Sequence, residues 1–163
     1  GKTIGVVQGK NYNEIVKCYQ FMEAKVDKIA ISFDYSYYLT LHDDPVYQAI
    51  KDAAKKAFKL SDIEIDSKWS RYALGRVTTL HKLHYNSVLN NTKPHHLLGC
   101  SVPWEFSALY LLRCISLVNC IETIDTSNPI VAGILHKHYN SNNGLTEKWS
   151  CKLVDYINAD ISL

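Results

Sequence analysis

The sequence predicts an α/β fold built on a parallel sheet, and three observations carry that prediction. Four short apolar runs, at 3–8, 28–32, 95–99 and 120–125, are separated by stretches of helical period. Strands that alternate with helices, with no internal repeat, assemble as parallel β/α units. Each run also closes on a polar or small residue: Gln8-Gly9, Ser32, Gly99 and Asp125. In barrels of (β/α) units the carboxyl ends of the strands hold the chemistry. Four units are half of an eight-stranded barrel. The expectation is therefore a partial TIM-type barrel, with 1–163 forming a single barrel-type domain or fragment. A half barrel leaves two strand edges and one sheet face to be covered by the remainder of the barrel or a second subunit.

Each element has a local reason. Thr3-Ile4-Gly5-Val6-Val7-Gln8 is β-branched and ends at Gly9, as a buried strand does. Asn11 followed by Glu14 is a helix start of capping-box type, and Ile15, Tyr19 and Met22 then share a face to about Lys25. Lys28 to Ser32 is the second strand. The stretch 33–43, with Asp34, Tyr35, Tyr37 and Tyr38, is expected to be a long loop. Asp44-Pro45 opens a helix that continues through Tyr47, Ile50, Ala54 and Phe58, with proline in the first turn. The polar stretch 61–67 is expected to be an irregular surface connection. Trp69 to Tyr85 returns to helical period, with Ala73, Val77, Leu80 and His84 on one stripe. Asn90 to Pro94 is a turn. His95 to Gly99 is the third strand. Ser101 caps an apolar helix expected over 104–118, which must be buried over most of its circumference. Cys120 to Asp125 is the fourth strand. Helix is expected over 129–139, and again for a turn or two over 152–158.

Composition narrows the function classes. At 47% hydrophobic and 21% charged, with seven Gly and four Pro, the chain is neither disordered nor low-complexity. No apolar run approaches the roughly 18 residues that cross a bilayer, so no membrane partner is expected. A formal charge of +2 neither demands nor excludes nucleic acid. Cys18, Cys100, Cys114, Cys120 and Cys151 are odd in number and widely spaced. No signal peptide opens the sequence, so free thiols in a reducing cytoplasm are the expectation. No CxxC or CxC pair exists, and no metal site and no cofactor are expected.

Three stretches resemble the tRNA-guanine transglycosylase family, the queuine and archaeosine tRNA-ribosyltransferases. Gly5-Val6-Val7-Gln8-Gly9 is similar to its strand motif G-[IV]-x-Q-G. The stretch from Lys93-Pro94-His95-His96 through Leu97-Leu98-Gly99-Cys100 to Ser101-Val102-Pro103 is similar to K-P-R-Y-L-M-G-V-G-x-P. Cys120-Ile121-Glu122-Thr123-Ile124-Asp125-Thr126-Ser127-Asn128-Pro129 is similar to G-[IV]-D-M-F-D-C-V-x-P. Asp27 to Ser32 sits where the family has D-G-Y-A-[IV]-G-G. The resemblance covers about residues 3 to 131, the carboxyl-terminal half of that barrel.

The resemblance implies a pentosyltransferase that exchanges guanine for a 7-deazaguanine base in a nucleic acid without cutting the backbone. Asp125 then stands at the nucleophile, forming a covalent aspartyl–sugar intermediate, as in a retaining glycosidase. Gln8 and Gly9 would read the base edge, because an amide offers both donor and acceptor and glycine allows close approach. Leu98 and Gly99 would form an apolar wall with a backbone contact, and Ser32 matches a substrate loop.

The departures are specific. Ser32-Phe33 replaces the family's Gly-Gly, which alters or partly fills the base pocket. Val131 replaces a basic residue after the motif proline, and the C-x-C-x-x-C zinc cluster is absent. These departures point away from a standard tRNA and make the branch that modifies DNA a second choice beside tRNA. The family's second aspartate belongs to the first half of the barrel, outside the matched stretch.

Blander readings stand beside each candidate. Asp125 also suits a turn, Gln8 a satisfied strand-end amide, Gly99 a strand-to-helix turn, and the loop tyrosines either base stacking or loop packing. Lys51, Lys55, Lys56 and Lys59, with Arg71 and Arg76, make either a solvated face or phosphate contacts. His95 and His96 should point to opposite sides of their strand. The alternative function is a non-catalytic, degenerate transglycosylase-like subunit with its pocket closed by Phe33. A (β/α) enzyme for a small metabolite is a third reading, without a Gly-rich phosphate loop to support it.

Overall fold

The structure is a computed structural model and describes residues 1–41, 43–100, 102–111, 120–126 and 130. In chain order the elements are β1 (Ile4–Val7), α1 (Tyr12–Glu23), β2 (Lys28–Ile31), α2 (Ser36–Leu41) and α3 (Pro45–Ala57). They continue with α4 (Asp62–Ile65), α5 (Lys68–Tyr85), β3 (His95–Leu97), α6 (Trp104–Leu111) and β4 (Ile121–Ile124). The helices expected over 129–139 and 152–158, and the later part of the one expected over 104–118, lie outside the described residues, as do Ser101, Cys114, Val131 and Cys151.

The four strands form one all-parallel sheet in the order β1-β2-β3-β4. Among the described strands that order never reverses, so they hold no topological switch point of the doubly wound kind. Gly5, Ile29, His95 and Ile121 align across the sheet, and Val6, Ala30, His96 and Thr123 form the next row. The β3–β4 ladder has an irregularity between His95 and His96 that admits one extra residue on β4.

Side-chain alternation then separates two faces. Val7, Ile29, Ile31, His95 and Leu97 are buried on the face that helices cover. Gly5 belongs to it: a Cβ there would lie 2.7 Å from Met22 Sδ, so the methionine tip fills the space above the glycine. The opposite face carries Ile4, Val6, Lys28, Ala30, His96 and Thr123. Ile4 and Val6 are 59% and 38% exposed, so this face is open at β1, while Ala30 on β2 is buried.

Helix starts follow the sequence closely. The Asn11 side chain accepts the Glu14 amide at 3.0 Å, and the Glu14 carboxylate takes the Lys10 amide at 2.9 Å. Asp44 caps α3 through the Val46 and Tyr47 amides. Ser67 caps α5 by accepting the Ser70 amide.

Two expectations are corrected. The stretch 33–43 contains a helix, α2. Asp34 accepts both the amide and the hydroxyl of Ser36 at 2.7 Å, starting the turn, while Tyr35, Tyr38 and Leu39 are buried in the core. The segment lies tight on α5, where a Cβ on Gly75 would come within 2.5 Å of the Ser36 amide nitrogen. The stretch 61–67 likewise contains α4, started by a reciprocal Ser61–Glu64 capping box and anchored by buried Ile65.

Candidate functional site at the carboxyl ends of the strands

Gln8, Ser32 and Asp125 each follow directly on a strand and Gly99 follows β3 after Leu98, so the four residues predicted at one end of the sheet sit there. β3 and β4 stay paired past their ends. The Asp125 amide donates to the Leu97 carbonyl at 3.1 Å, and the Cys100 amide donates to the Asp125 carbonyl at 2.9 Å. The Leu98 amide reaches back to the Ile31 carbonyl at 3.0 Å. This paired backbone holds the Asp125 side chain above the sheet end.

The Gly99 amide donates to Asp125 Oδ1. His96, on the open face of β3, places Nε2 3.9 Å from the same oxygen. Oδ2 has no hydrogen bond among the described residues, and the side chain is 60% exposed. Asp125 thus presents one held oxygen and one open oxygen. Gly99 adopts φ +59°, the left-handed region that favours glycine. That conformation aims its amide at the carboxylate.

Behind this turn lies a buried ion pair. Arg76 on α5 and Glu105 on α6 are each 1% exposed. Arg76 Nε and Nη2 donate to the two Glu105 oxygens at 2.5 and 2.8 Å. Arg76 also donates to the Leu98 carbonyl and, at 3.2 Å, to Cys100 Sγ. Burial alone would pull the Arg76 pKa down, but the Glu105 carboxylate outweighs it and the net direction is up. The expectation of Arg76 at a phosphate is corrected: its guanidinium is consumed in the core. Sequence reasoning did not foresee this role. Its only signal was a cation inside the apolar stripe of α5 and an acid at the start of an apolar helix.

The remaining candidates are distributed around this centre. The Ser32 amide donates to the Tyr35 hydroxyl at 3.1 Å, which in turn donates to the Val7 carbonyl at 2.7 Å. One buried tyrosine thereby joins the ends of β1 and β2, and burial pushes its pKa up. Tyr37 donates to the Gly9 carbonyl. Gly9 is required by packing, because a Cβ there would lie 2.6 Å from the Ile15 amide nitrogen. Gln8 is exposed, and no side-chain contact draws it to Asp125. Phe33 sits over the Gly99 turn, with its Cβ 3.1 Å from where a Gly99 Cβ would be. It is 46% exposed and packs edge-on against Tyr72.

His95 and His96 do point to opposite faces. His95 is fully buried and donates Nδ1–H to the Lys93 carbonyl at 2.7 Å. Its Nε2 then accepts the Tyr19 hydroxyl at 3.0 Å, and burial pulls its pKa down, so it is a neutral core residue. Cys100 is buried, and that burial, followed by the nearby Glu105 charge, pushes its thiol up to about 12. It is not a nucleophile near neutral pH. Lys51 and Lys55 pair with Asp66 and Asp62, each at 2.5 Å, as a solvated face does. A cavity of about 240 Å³ lies elsewhere, beside β4, lined by Phe106, Leu109 and residues 121–124.

Among the described residues no helix is long and apolar enough to cross a membrane. Comparisons with protein-family models, with curated proteins and with solved structures found no match to this chain.

Proposed function

We propose that this chain forms the carboxyl-terminal half of a (β/α)-barrel transglycosylase that exchanges guanine for a 7-deazaguanine base in a nucleic acid, tRNA or DNA. The observation that supports it is the Asp125 carboxylate. It stands at a strand end with Oδ1 held by the Gly99 amide and Oδ2 open. In the reaction Oδ2 bonds to the sugar's anomeric carbon as the bond to guanine breaks, and guanine leaves with a proton. The incoming base then attacks the same carbon, loses its own proton and releases the carboxylate. No electrons are transferred. Gln8 and Gly9 offer donor and acceptor groups to a base edge, and Leu98 offers an apolar wall. The open face and the edges of β1 and β4 are where the remaining strands of the barrel, or a second subunit, would pack.

The test is incorporation of labelled guanine or 7-deazaguanine into tRNA and, separately, into DNA by the full-length protein. Asp125→Asn keeps the shape and removes the nucleophile, so exchange should fall by several orders of magnitude, on the order of the loss of a covalent catalyst. Undiminished exchange by this variant would remove Asp125 from the mechanism.

Phe33 favours a second reading. Its side chain lies against Gly99, over the wall a base would use. A degenerate, partner-binding subunit would show no exchange on either polymer. Phe33→Gly would then restore base binding if the phenyl ring is the obstruction.

A further inference from the structure

Two titratable side chains feel the Asp125 carboxylate: the Cys100 thiol, which is buried and stays protonated, and His96, to which the sequence assigned no role there. The hydrogen bonds of His96 define its state. Lys28 on β2 carries only donors and gives one to Thr123 Oγ1 at 3.4 Å. Thr123 can therefore turn its own proton towards His96 Nδ1, 2.8 Å away. A neutral His96 then carries its proton on Nε2, the atom 3.9 Å from Asp125 Oδ1. Among the described residues the other charged groups on this face have partners. Lys28 forms an ion pair with Glu122 on β4, and His95 points to the opposite face, where it is buried. His96 itself is mostly covered, its side chain 18% exposed.

We propose that His96 is a charge-switched positioning residue for the Asp125 carboxylate. Neutral, its Nε2–H faces Oδ1 from 3.9 Å beside the Gly99 amide that holds this oxygen, and it leaves the charge of the carboxylate uncancelled. Protonated, the imidazolium forms an ion pair with Asp125 and opposes its chemistry. A carboxylate that attacks an anomeric carbon gives up its negative charge, while positive charge develops on the sugar. A fixed cation about 4 Å away disfavours both changes. Histidine is the side chain whose ordinary charge change falls between about pH 5 and 8. The aligned family motif has tyrosine at this position, which stays neutral throughout that range, so the switch belongs to this chain. The catalytic consequence rests on the base-exchange reading; the pairing itself does not.

Two measurements on the full-length protein test it. The first needs no activity: the ring-nitrogen NMR shifts of neutral His96, which report the atom that carries the proton. The proton should sit on Nε2, facing Asp125; a proton on Nδ1 overturns the proposal. The second is the pH profile of base exchange in His96→Gln and His96→Lys. Glutamine keeps a neutral N–H donor, so activity near neutral pH should survive while the acidic limb disappears. Lysine keeps a permanent cation, so activity should fall by roughly tenfold or more across the range. A glutamine variant that retains the wild-type acidic limb overturns the proposal. Absence of exchange by the wild type counts against the base-exchange reading, and the NMR tautomer then decides the pairing on its own.

Discussion

Breaking the Arg76–Glu105 pair should be the most costly single change in the described core. Arg76→Met keeps most of the aliphatic stem and removes the guanidinium. Glu105, 1% exposed, is left with a buried carboxylate and no cation, and the Leu98 carbonyl loses the same donor. Removing one partner of a buried pair costs about 3–5 kcal/mol. A domain of this size is stable by only about 5–15 kcal/mol, so much of the margin disappears. Arg76→Met combined with Glu105→Leu removes both charges, and the apolar replacement should recover most of the loss. What persists is the orphaned Leu98 carbonyl, about 1–3 kcal/mol. Urea denaturation of the wild type, both single variants and the double variant measures the coupling directly. Refutation would be a cost below about 1 kcal/mol for Arg76→Met, the behaviour of a solvated pair. A double variant no more stable than the singles would also refute it, because the uncompensated charge would then not be the source of the cost.

Three further outcomes can be measured. Gly99→Ala should cost about 1–2 kcal/mol through its positive φ, and more through the close Phe33 Cβ; adding Phe33→Gly, which removes that Cβ, should relieve only the contact part in a thermal melt. At Asp44, burial raises the pKa, but the Lys82 ion pair and the Tyr47 and Val46 amides outweigh it and the net direction is down. A carboxylate depressed in the folded state contributes stability above its unfolded pKa and loses that contribution as pH falls through the folded value. Asp44→Asn should therefore lose stability less steeply than wild type as pH drops below about 4, read as the urea midpoint against pH. Cys100, its thiol raised to about 12 by burial, should resist iodoacetamide near neutral pH in the native protein and react in urea, as peptide mass spectrometry would show.

Local chemistry was legible where one element decides it alone. The strand runs, the Asn11–Glu14 start, the Asp44-Pro45 start and the opposed directions of His95 and His96 all follow from short-range rules. They depend on period, capping and alternation within a few residues. α2 was not legible, because Asp34, Ser36 and three tyrosines read equally well as a loop. Packing decides it: Tyr35 bridges Ser32 to Val7, and Gly75 admits the backbone of Ser36. α4 was missed for the same reason, since a four-residue helix has almost no period to detect.

The sequence by itself determined a parallel α/β chain whose polar and small residues cluster at the strand ends, because strand alternation and strand-end chemistry are encoded in neighbouring residues. Only the tertiary structure decided which of those residues meet. It set Gly99, His96 and Asp125 around one carboxylate oxygen, and it withdrew Arg76 into the core opposite Glu105. Such contacts join residues 26 to 29 positions apart across strand pairing and helix packing. No local pattern carries their distances, since register and packing set them only when the sheet and helices close together.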